Sequence, residues 1–287
     1  MYKKIVLASL LTVCQCFAAY NENDHRPVDK IPKLRFVSDL NASASGQFSE
    51  DQFALILNEI VQRYKIHPSN IVVVDLREEA HFYANGVPFT VTDRHENPSK
   101  KYQSDSEAKI KEVLERSKSF VITPRKLDEI KLEARKVKHA ERMKQGLAAK
   151  HDKHKRKLKA PVLMENPILR TEAELAKHYG VQYWRLPLTD HYPPDLDYIK
   201  SFINFAQSLP KGTWIHLHCR AGNGRTTSFM AILDMLQHNN RSFDEILDRQ
   251  YKVGGKNLKE LPERPERHKA TLDRVKVLKD VFDQIRS

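Results

Sequence analysis

Residues 214–227 read WIHLHCRAGNGRTT, an apolar strand that runs into a cysteine and a short loop. Gly222 and Gly224 permit a positive φ, so successive backbone N–H groups of the loop can turn inward and line an anion-binding concavity. Apolar residues recur at helical spacing from Phe229 to Leu236, which predicts a helix directly after the loop. The positive end of that helix faces the same concavity. The stretch therefore predicts a strand–loop–helix unit that binds an anion.

The side chains of this loop suit nucleophilic attack on a phosphate ester. A thiolate attacks far better than a thiol, and a helix N-terminus or a nearby cation lowers a cysteine pKa from about 8.5 to roughly 3.5–7.5. Arg220 and Arg225 supply such cations beside Cys219, and the Arg225 fork can hold two phosphate oxygens. The Thr226 hydroxyl can donate to the sulfur, and we expect His218 to orient the loop from behind. A buried cysteine before an ordinary glycine turn would account for Cys219, but not for the arginine and threonine in register.

The segment from His218 to Thr226 resembles the signature of the cysteine-based phosphatases, the protein-tyrosine-phosphatase superfamily. The second threonine, Thr227, is similar to the ending found in one branch, the protein-tyrosine-phosphatase-like phytases, which are bacterial inositol polyphosphate phosphatases. Three further parts resemble that branch in the same order. They are VDLREEAH at 74–81 with NGVP at 85–88, the residues YWR, TDH and PP between 183 and 194, and RQ with GG between 249 and 255. The likeness covers about residues 31–98 and 161–285.

The resemblance implies a fold and a reaction. The fold is α/β, a protein-tyrosine-phosphatase-like layered sheet flanked by helices, with a basic helical insertion at about 100–160. The reaction is hydrolysis of phosphomonoesters of inositol polyphosphates such as phytate through a phosphocysteine. Asp190 matches the family's general acid, which would protonate the departing alcohol and later activate water. Without the resemblance, a plain loop cap or turn is the favoured interpretation of the same Thr-Asp pair.

Substrate-binding residues are predicted with alternatives left open. His191 either binds a substrate phosphate or packs against Tyr192. Asp75 and Arg77 either line the pocket or form a buried ion pair at a strand end. Lys269, before the last helix, either reaches the pocket rim or is ordinary surface charge. The loop itself contributes the phosphate-binding residues Arg220, Ala221, Gly222, Asn223 and Gly224, of which Arg220 and Asn223 depart from the residues common in relatives.

No cofactor or metal is predicted. His216, His218 and Cys219 are close in sequence, but the two histidines share one face of a strand while the cysteine points elsewhere. No fourth ligand follows at a spacing typical of zinc. The charge of the reaction is expected to be met by the loop amides and Arg225.

Residues 1–19 have the layout of a secretory signal peptide: Lys3 and Lys4, an apolar run, and small residues at Ala18 and Ala19. Its removal would leave Cys219 as the one cysteine, free even in an oxidising compartment. Export without lipidation is favoured over a lipoprotein site at Cys14. We therefore expect an exported protein, periplasmic, secreted or delivered to a host cell, with residues 20–287 as one catalytic domain.

The charge of the chain favours anionic partners. The net charge is +12, and residues 124–160 hold fourteen Lys/Arg against five Asp/Glu. A solvated charged helix is the default interpretation of that segment, and a surface for anionic lipid headgroups is the alternative. Nucleic-acid binding is not expected, because aromatic residues and recognisable modules are missing from it. The oligomeric state is left undetermined.

Alternating apolar segments predict a layered α/β sheet with the active site at the strand ends. Two functions compete with the inositol phosphatase. A protein tyrosine or dual-specificity phosphatase would use the same chemistry on phosphopeptides, and a non-catalytic polyanion-binding protein would use the basic segment alone. The ordered domain is expected to begin at residues 34–36. The expected strands lie at 71–76, 120–122, 181–187 and 213–218, and the expected helices at 49–64, 104–117, 194–209, from about 224, 242–252 and 270–285.

Overall fold

The computed structural model describes residues 31–91, 107–117, 119–122 and 162–287. The predicted signal peptide and the basic segment 124–160 lie outside these residues. The chain divides into two compact units, one of residues 1–108 with 169–287 and one of residues 109–168. The candidate site belongs to the first unit.

The secondary structure alternates between strands and helices along most of the described chain. The strands are β1 (Arg35–Val37), β2 (Ala42–Ser45), β3 (Ile71–Asp75), β4 (His81–Ala84), β5 (Val87–Thr90), β6 (Ser119–Ile122), β7 (Val162–Glu165), β8 (Leu169–Arg170), β9 (Gln182–Arg185) and β10 (Trp214–His218). The helices are α1 (Glu50–Tyr64), α2 (Glu107–Ser117), α3 (Glu172–His178), α4 (Leu196–Ser208), α5 (Gly224–Gln237), α6 (Phe243–Lys252) and α7 (His268–Arg286).

The central sheet of the first unit has five strands in the order β1–β2–β10–β3–β9. β10 lies in the middle and runs parallel to both β2 and β3. At the two edges, β9 pairs parallel with β3, and β1 pairs antiparallel with β2. The register pairs His218 with Ser45 on one side and with Asp75 on the other. The chain therefore leaves β10 at the carboxyl edge of four parallel strands, where α/β sheets carry their sites.

Both faces of this sheet are buried, and alternate residues of each strand divide between them. Ile215 and Leu217 of β10 belong to the core packed with α4, α5, α6 and α7. Trp214 lies in the opposite core, which includes residues of α1 and α3. A continuous apolar run such as residues 71–74 of β3 is typical of a strand covered on both sides. The sheet is thus a middle layer between helices.

Smaller sheets complete the two units. In the first unit β4 pairs antiparallel with β5 and with β8. In the second unit β6 pairs antiparallel with β7. Of the helices in the described residues, none combines the length and the apolar composition that a membrane crossing requires.

The helices and most strands expected from the sequence are confirmed. Ser49 caps α1 through a capping box with Gln52, as its position before the apolar period predicts. The last helix begins earlier than expected, at His268, because a 3₁₀ turn at Pro265–Arg267 leads directly into it. The elements that were not predicted are β1, β2, β7, α3 and the small β4–β5–β8 sheet. The ASAS sequence of β2 lacks the branched and aromatic residues that mark a strand.

Candidate active site

The loop between β10 and α5 folds as a tight turn that only glycine permits at one position. Gly222 has a φ of +68°, and a Cβ there would lie 2.6 Å from the amide nitrogen of Gly46. The loop is also held by the segment that follows β2, because the amide of Gln47 donates to the Arg220 carbonyl at 3.2 Å. The backbone between Cys219 and α5 is therefore fixed by both local conformation and packing.

Cys219 lies at the base of this loop with 3% of its surface exposed. Burial alone raises the pKa of its thiol, but the charge of Arg225 opposes it. The Thr226 hydroxyl and the amides of Ala221 and Thr226, which lie near the sulfur, act in the same direction as that charge. The net result is a pKa below the ordinary value of a cysteine, which favours the thiolate.

Arg225 is held rigidly beside the thiol. Its two terminal nitrogens donate to the two carboxylate oxygens of Glu79, at 2.8 and 3.2 Å. Nη1 also donates to the carbonyl of Leu188 at 3.0 Å. Burial lowers the pKa of Arg225, but the hydrogen bonds to Glu79 and the charge of Cys219 raise it above its ordinary value. The guanidinium is therefore a fixed, permanent cation.

Asp190 reaches the same place from the loop that follows β9. Its Oδ1 lies 3.2 Å from Nη2 of Arg225, and 28% of the side chain is exposed. His191 is more exposed and has a φ of +74°, with Nε2 3.5 Å from Oδ2 of Asp190. The structure thus brings a carboxylate with solvent access to the rim of the loop that holds Cys219.

The other predicted substrate-binding residues differ in how far they are exposed to solvent. Arg220 is partly buried, and burial together with the charge of Arg77 lowers its pKa. Ala221 is exposed, while Asn223 occupies the position before the first turn of α5. Lys269 is exposed in the first turn of α7. A substrate contact by Lys269 stays a prediction.

Asp75 and Arg77 lie behind the loop and are almost completely buried. Asp75 accepts hydrogen bonds from the Arg77 amide and from the Tyr183 hydroxyl, both at 2.9 Å, and pairs with Arg185 at 3.2 Å. The Arg77 guanidinium donates to the Thr90 hydroxyl at 2.7 Å. Within the described residues, Asp75 and Arg77 form ion pairs with Arg185 and Glu79 rather than with each other. A contact of either residue with substrate stays a prediction.

Sequence reasoning assigned no role to several residues that surround the loop. Arg35 of β1 donates to the Gly222 carbonyl and to the Thr227 hydroxyl, both at 3.3 Å. Glu172 of α3 pairs with His218, and Arg274 of α7 lies against Gly224. Glu79 lies within the segment 74–81 that resembles the phytase branch, and this was the one indication of its role in the sequence. The others come from distant elements and have no spacing relation to the loop.

One group of buried side chains has the composition of a metal site. Asp75, Glu172 and His218 bring three potential ligand atoms within 4.8 Å of one another. Burial lowers the pKa of His218, but the charge of Glu172 raises it above its ordinary value, which favours a protonated imidazole. A protonated imidazole has no lone pair for a metal. The arrangement therefore fits an ion pair better than a metal centre.

Several known proteins resemble this chain in sequence and fold. A family model described as "PTPlike_phytase: Inositol hexakisphosphate" matches residues 74–237. A PTP-like myo-inositol phosphatase from Mitsuokella multacida, solved in complex with myo-inositol-(1,3,4,5)-tetrakisphosphate, is 31% identical with a TM-score of 0.66, over 87% of this chain and 38% of that one. A tandemly repeated PTP-like phytase from Mitsuokella multacida is 30% identical with a TM-score of 0.64, over 86% of this chain and 38% of that one.

Two more distant similarities accompany these. The fold of a PTP-like phytase from Bdellovibrio bacteriovorus matches 92% of this chain and 87% of that one, with a TM-score of 0.61 and 24% identity. The effector protein hopD2 of Pseudomonas syringae pv. tomato is 25% identical over 189 residues, 64% of this chain. The chain spans 35% of hopD2, little more than a third of that protein's length. Because the family model covers more than half of the sequence and includes the loop of Cys219, this chain belongs to the PTP-like phytase family.

Proposed function

We propose that this chain is a phosphomonoester hydrolase that acts on inositol polyphosphates such as phytate through a phosphocysteine. The observation that carries the proposal is the convergence of three groups: the low-pKa thiol of Cys219, the fixed cation Arg225, and the Asp190 carboxylate 3.2 Å from that cation. The family match and the inositol tetrakisphosphate bound by a structural neighbour support the substrate class.

In the first step the Cys219 thiolate attacks phosphorus in line with the ester oxygen. The S–P bond forms as the P–O bond to the inositol breaks, and the departing alkoxide takes a proton from Asp190. The loop amides and Arg225 stabilise the charge on the equatorial oxygens. An inositol alkoxide is a poor leaving group, so proton donation contributes about 10²–10⁴-fold.

In the second step water attacks phosphorus and the P–S bond breaks. The Asp190 carboxylate, left by the first step, accepts a proton from that water, and inorganic phosphate leaves. The Thr226 hydroxyl, which lies near Cys219, donates to the sulfur as it regains its charge. The catalytic groups return to their initial protonation states, and we expect phosphate release to be insensitive to chelators.

The cations around the loop favour a highly phosphorylated substrate over a phosphotyrosine peptide. Arg35, Arg220 and Arg274 lie close enough to Cys219 or Arg225 for their charges to interact with them. Such a concentration of positive charge attracts polyanions. Comparison of kcat/KM for phytate and for phosphotyrosyl peptides tests this choice. A large preference for the peptides would replace it with the protein phosphatase.

The mechanism is tested with Cys219→Ser and Asp190→Asn. We expect Cys219→Ser to bind phosphate without turnover, and rapid quenching of the wild type to trap a phosphocysteine. Asp190→Asn should slow alkyl phosphates more than aryl phosphates. Asp195→Asn is the matched control, because Asp195 caps α4 nearby and asparagine caps as well as aspartate. Full activity in Cys219→Ser would refute the covalent mechanism, and no phosphate release from any ester would favour a polyanion-binding protein.

We also propose that the protein is exported and that the basic segment 124–160 binds anionic lipid headgroups. The similarity to an effector protein supports export or delivery to a host cell. N-terminal sequencing of protein recovered outside the cytoplasm tests it: a new terminus near residue 20 is expected. Binding to vesicles with and without anionic lipid tests the second part, and equal binding to both would refute it.

A further inference from the structure

The loop that carries Asp190 is tied to the phosphate-binding loop at two points. On its N-terminal side, the Leu188 carbonyl accepts from Nη1 of Arg225 at 3.0 Å. On its C-terminal side, the Tyr192 carbonyl accepts from Nη2 of Arg274 at 2.7 Å. Asp190 lies between these two carbonyls. Its position over the phosphate-binding loop therefore depends on two guanidinium groups that come from different helices.

The second of these guanidinium groups is itself fixed by packing. Arg274 is 5% exposed and extends from α7 to the first turn of α5. A Cβ on Gly224 would lie 3.0 Å from Nη1 and 3.3 Å from Cζ of Arg274. The arginine thus occupies the space that a side chain at position 224 would need. It contacts both the acid-bearing loop and the helix that holds Arg225.

The charges around Arg274 are consistent with a bridge of this kind. Burial lowers the pKa of Arg274, while the charge of Asp190 acts to raise it and that of Arg225 to lower it. The guanidinium is therefore near both the acid and the phosphate-binding arginine. Its Nη2 is already used by a main-chain carbonyl, and the group is almost closed to solvent. These features fit a role between protein elements better than a contact with substrate.

We propose that Arg274 is a positioning residue that holds the loop of Asp190 against the phosphate-binding loop, so that the acid reaches the leaving oxygen. This inference rests on the proposed function of Asp190 as the general acid. A displacement of about 1 Å in a catalytic group can cost about 10²-fold in rate. The loss of the Arg274–Tyr192 contact should consequently impair proton donation while leaving the thiolate and Arg225 in place.

The leaving group separates this role from a contact with substrate. Alkyl alkoxides need a proton from Asp190, whereas a nitrophenolate leaves with little help. Two substrates with a single phosphate, glycerol 2-phosphate and p-nitrophenyl phosphate, have no second phosphate for a cation to bind. We expect Arg274→Met to lower kcat/KM, which reports on phosphocysteine formation and not on its hydrolysis, by up to about 10²-fold for the alkyl ester and by less than about 3-fold for the aryl ester.

Three further variants complete the experiment. Lys279→Met is the control on the same helix, because Lys279 is a surface residue paired with Asp283, and it should leave both rates unchanged. In an Asp190→Asn background, Arg274→Met should have no added effect on the alkyl ester, since the acid it positions is gone. Arg274→Lys keeps the charge without the planar fork, and its alkyl-to-aryl rate ratio should fall between those of the wild type and Arg274→Met.

Three results would overturn the proposal. They are equal losses on both esters, additive losses in the Asp190→Asn background, and a raised KM for phytate with unchanged kcat on both monophosphates. If Arg274→Met fails to fold, an unchanged rate ratio in Arg274→Lys overturns it. Turnover of phytate by the wild type and by Lys279→Met tests the proposed function separately. The leaving-group comparison keeps its meaning even if phytate is not a substrate.

Discussion

Replacement of Glu172 by glutamine removes the negative charge that lies beneath the nucleophile. Oε1 of Glu172 lies 2.5 Å from Nε2 of His218, the residue before the cysteine. Oε2 lies 3.0 Å from Nε2 of His81 and accepts from the Tyr83 hydroxyl at 3.2 Å. All four side chains are buried. The substitution keeps the shape of the side chain and leaves His218 without its nearest counter-charge.

The two pKa shifts define the pH range in which this pair contributes. Burial raises the pKa of Glu172, but His218 and His81 lower it well below its ordinary value of 4.5. Burial lowers the pKa of His218, but Glu172 raises it above its ordinary value of 6.5. The carboxylate therefore contributes stability above pH 4.5 and loses it as the pH falls through its folded pKa. The imidazolium contributes below pH 6.5 and loses it as the pH rises through its folded pKa.

The expected magnitude follows from the burial of the pair. Removing one partner of a buried ion pair costs about 3–5 kcal/mol, because the other charge stays buried without compensation. Asp75 remains 3.8 Å from His218 and relieves part of that cost, so the lower end of the range is expected. The loss in the free energy of unfolding should be largest between pH 4.5 and 6.5, where both charges contribute fully. Above that range it should shrink as His218 becomes neutral.

Urea unfolding of the wild type and of Glu172→Gln, from pH 4 to pH 9, measures this difference. Glu174→Gln is the matched control on the same helix, because glutamine serves as well as glutamate in the capping box with Thr171. It should change the free energy of unfolding by less than about 0.5 kcal/mol. A loss below about 1 kcal/mol at pH 5.5 for Glu172→Gln, or a loss that grows above pH 6.5, would refute the ion pair.

Three further predictions concern the loop and the fold. Gly222→Ala should reduce kcat by about 10²-fold, because the new methyl group would lie 2.6 Å from the Gly46 amide and force the loop open; wild-type kinetics would contradict this. Inorganic phosphate at about 100 times its Kd should raise the free energy of unfolding by about 2.7 kcal/mol, and the same should hold for Cys219→Ser, in which the anion-binding amides remain. Ser49→Ala should cost about 1 kcal/mol in urea unfolding through loss of the α1 cap, with kcat unchanged.

The parts of the fold that the sequence predicted are those with a local physical cause. α1 begins after Ser49 because its side chain can accept from the third amide of the helix, and that signal is readable from four residues. α4 is shorter than the expected 194–209, since the Asp195 side chain caps it and the helix starts at Leu196. β3 is a run of apolar β-branched residues, which is typical of a covered parallel strand.

The site was predicted only as far as the local sequence reaches. Cys219 and Arg225 are six residues apart in one loop, so their partnership is visible in the sequence. The contacts of Arg225 with Glu79 and of Arg274 with Tyr192 join residues 146 and 82 positions apart. No spacing rule links such pairs, because the sheet order and helix packing that join them are set by the whole core. The catalytic residues could therefore be predicted from the sequence, whereas the residues that hold them in position could not.

The hydrogen bonds of Arg225 show why these supports matter to the chemistry. Glu79 and the Leu188 carbonyl take up the two terminal nitrogens, and of the described residues none accepts the Nε–H. A buried N–H left without a partner costs about 1–3 kcal/mol, which a phosphate oxygen can recover. Because the guanidinium is already fixed by Glu79, little further ordering is needed when the anion arrives. The Glu79 carboxylate thus holds the Arg225 guanidinium in one orientation. The proposed preference for phosphate follows from this fixed orientation as much as from the positive charge.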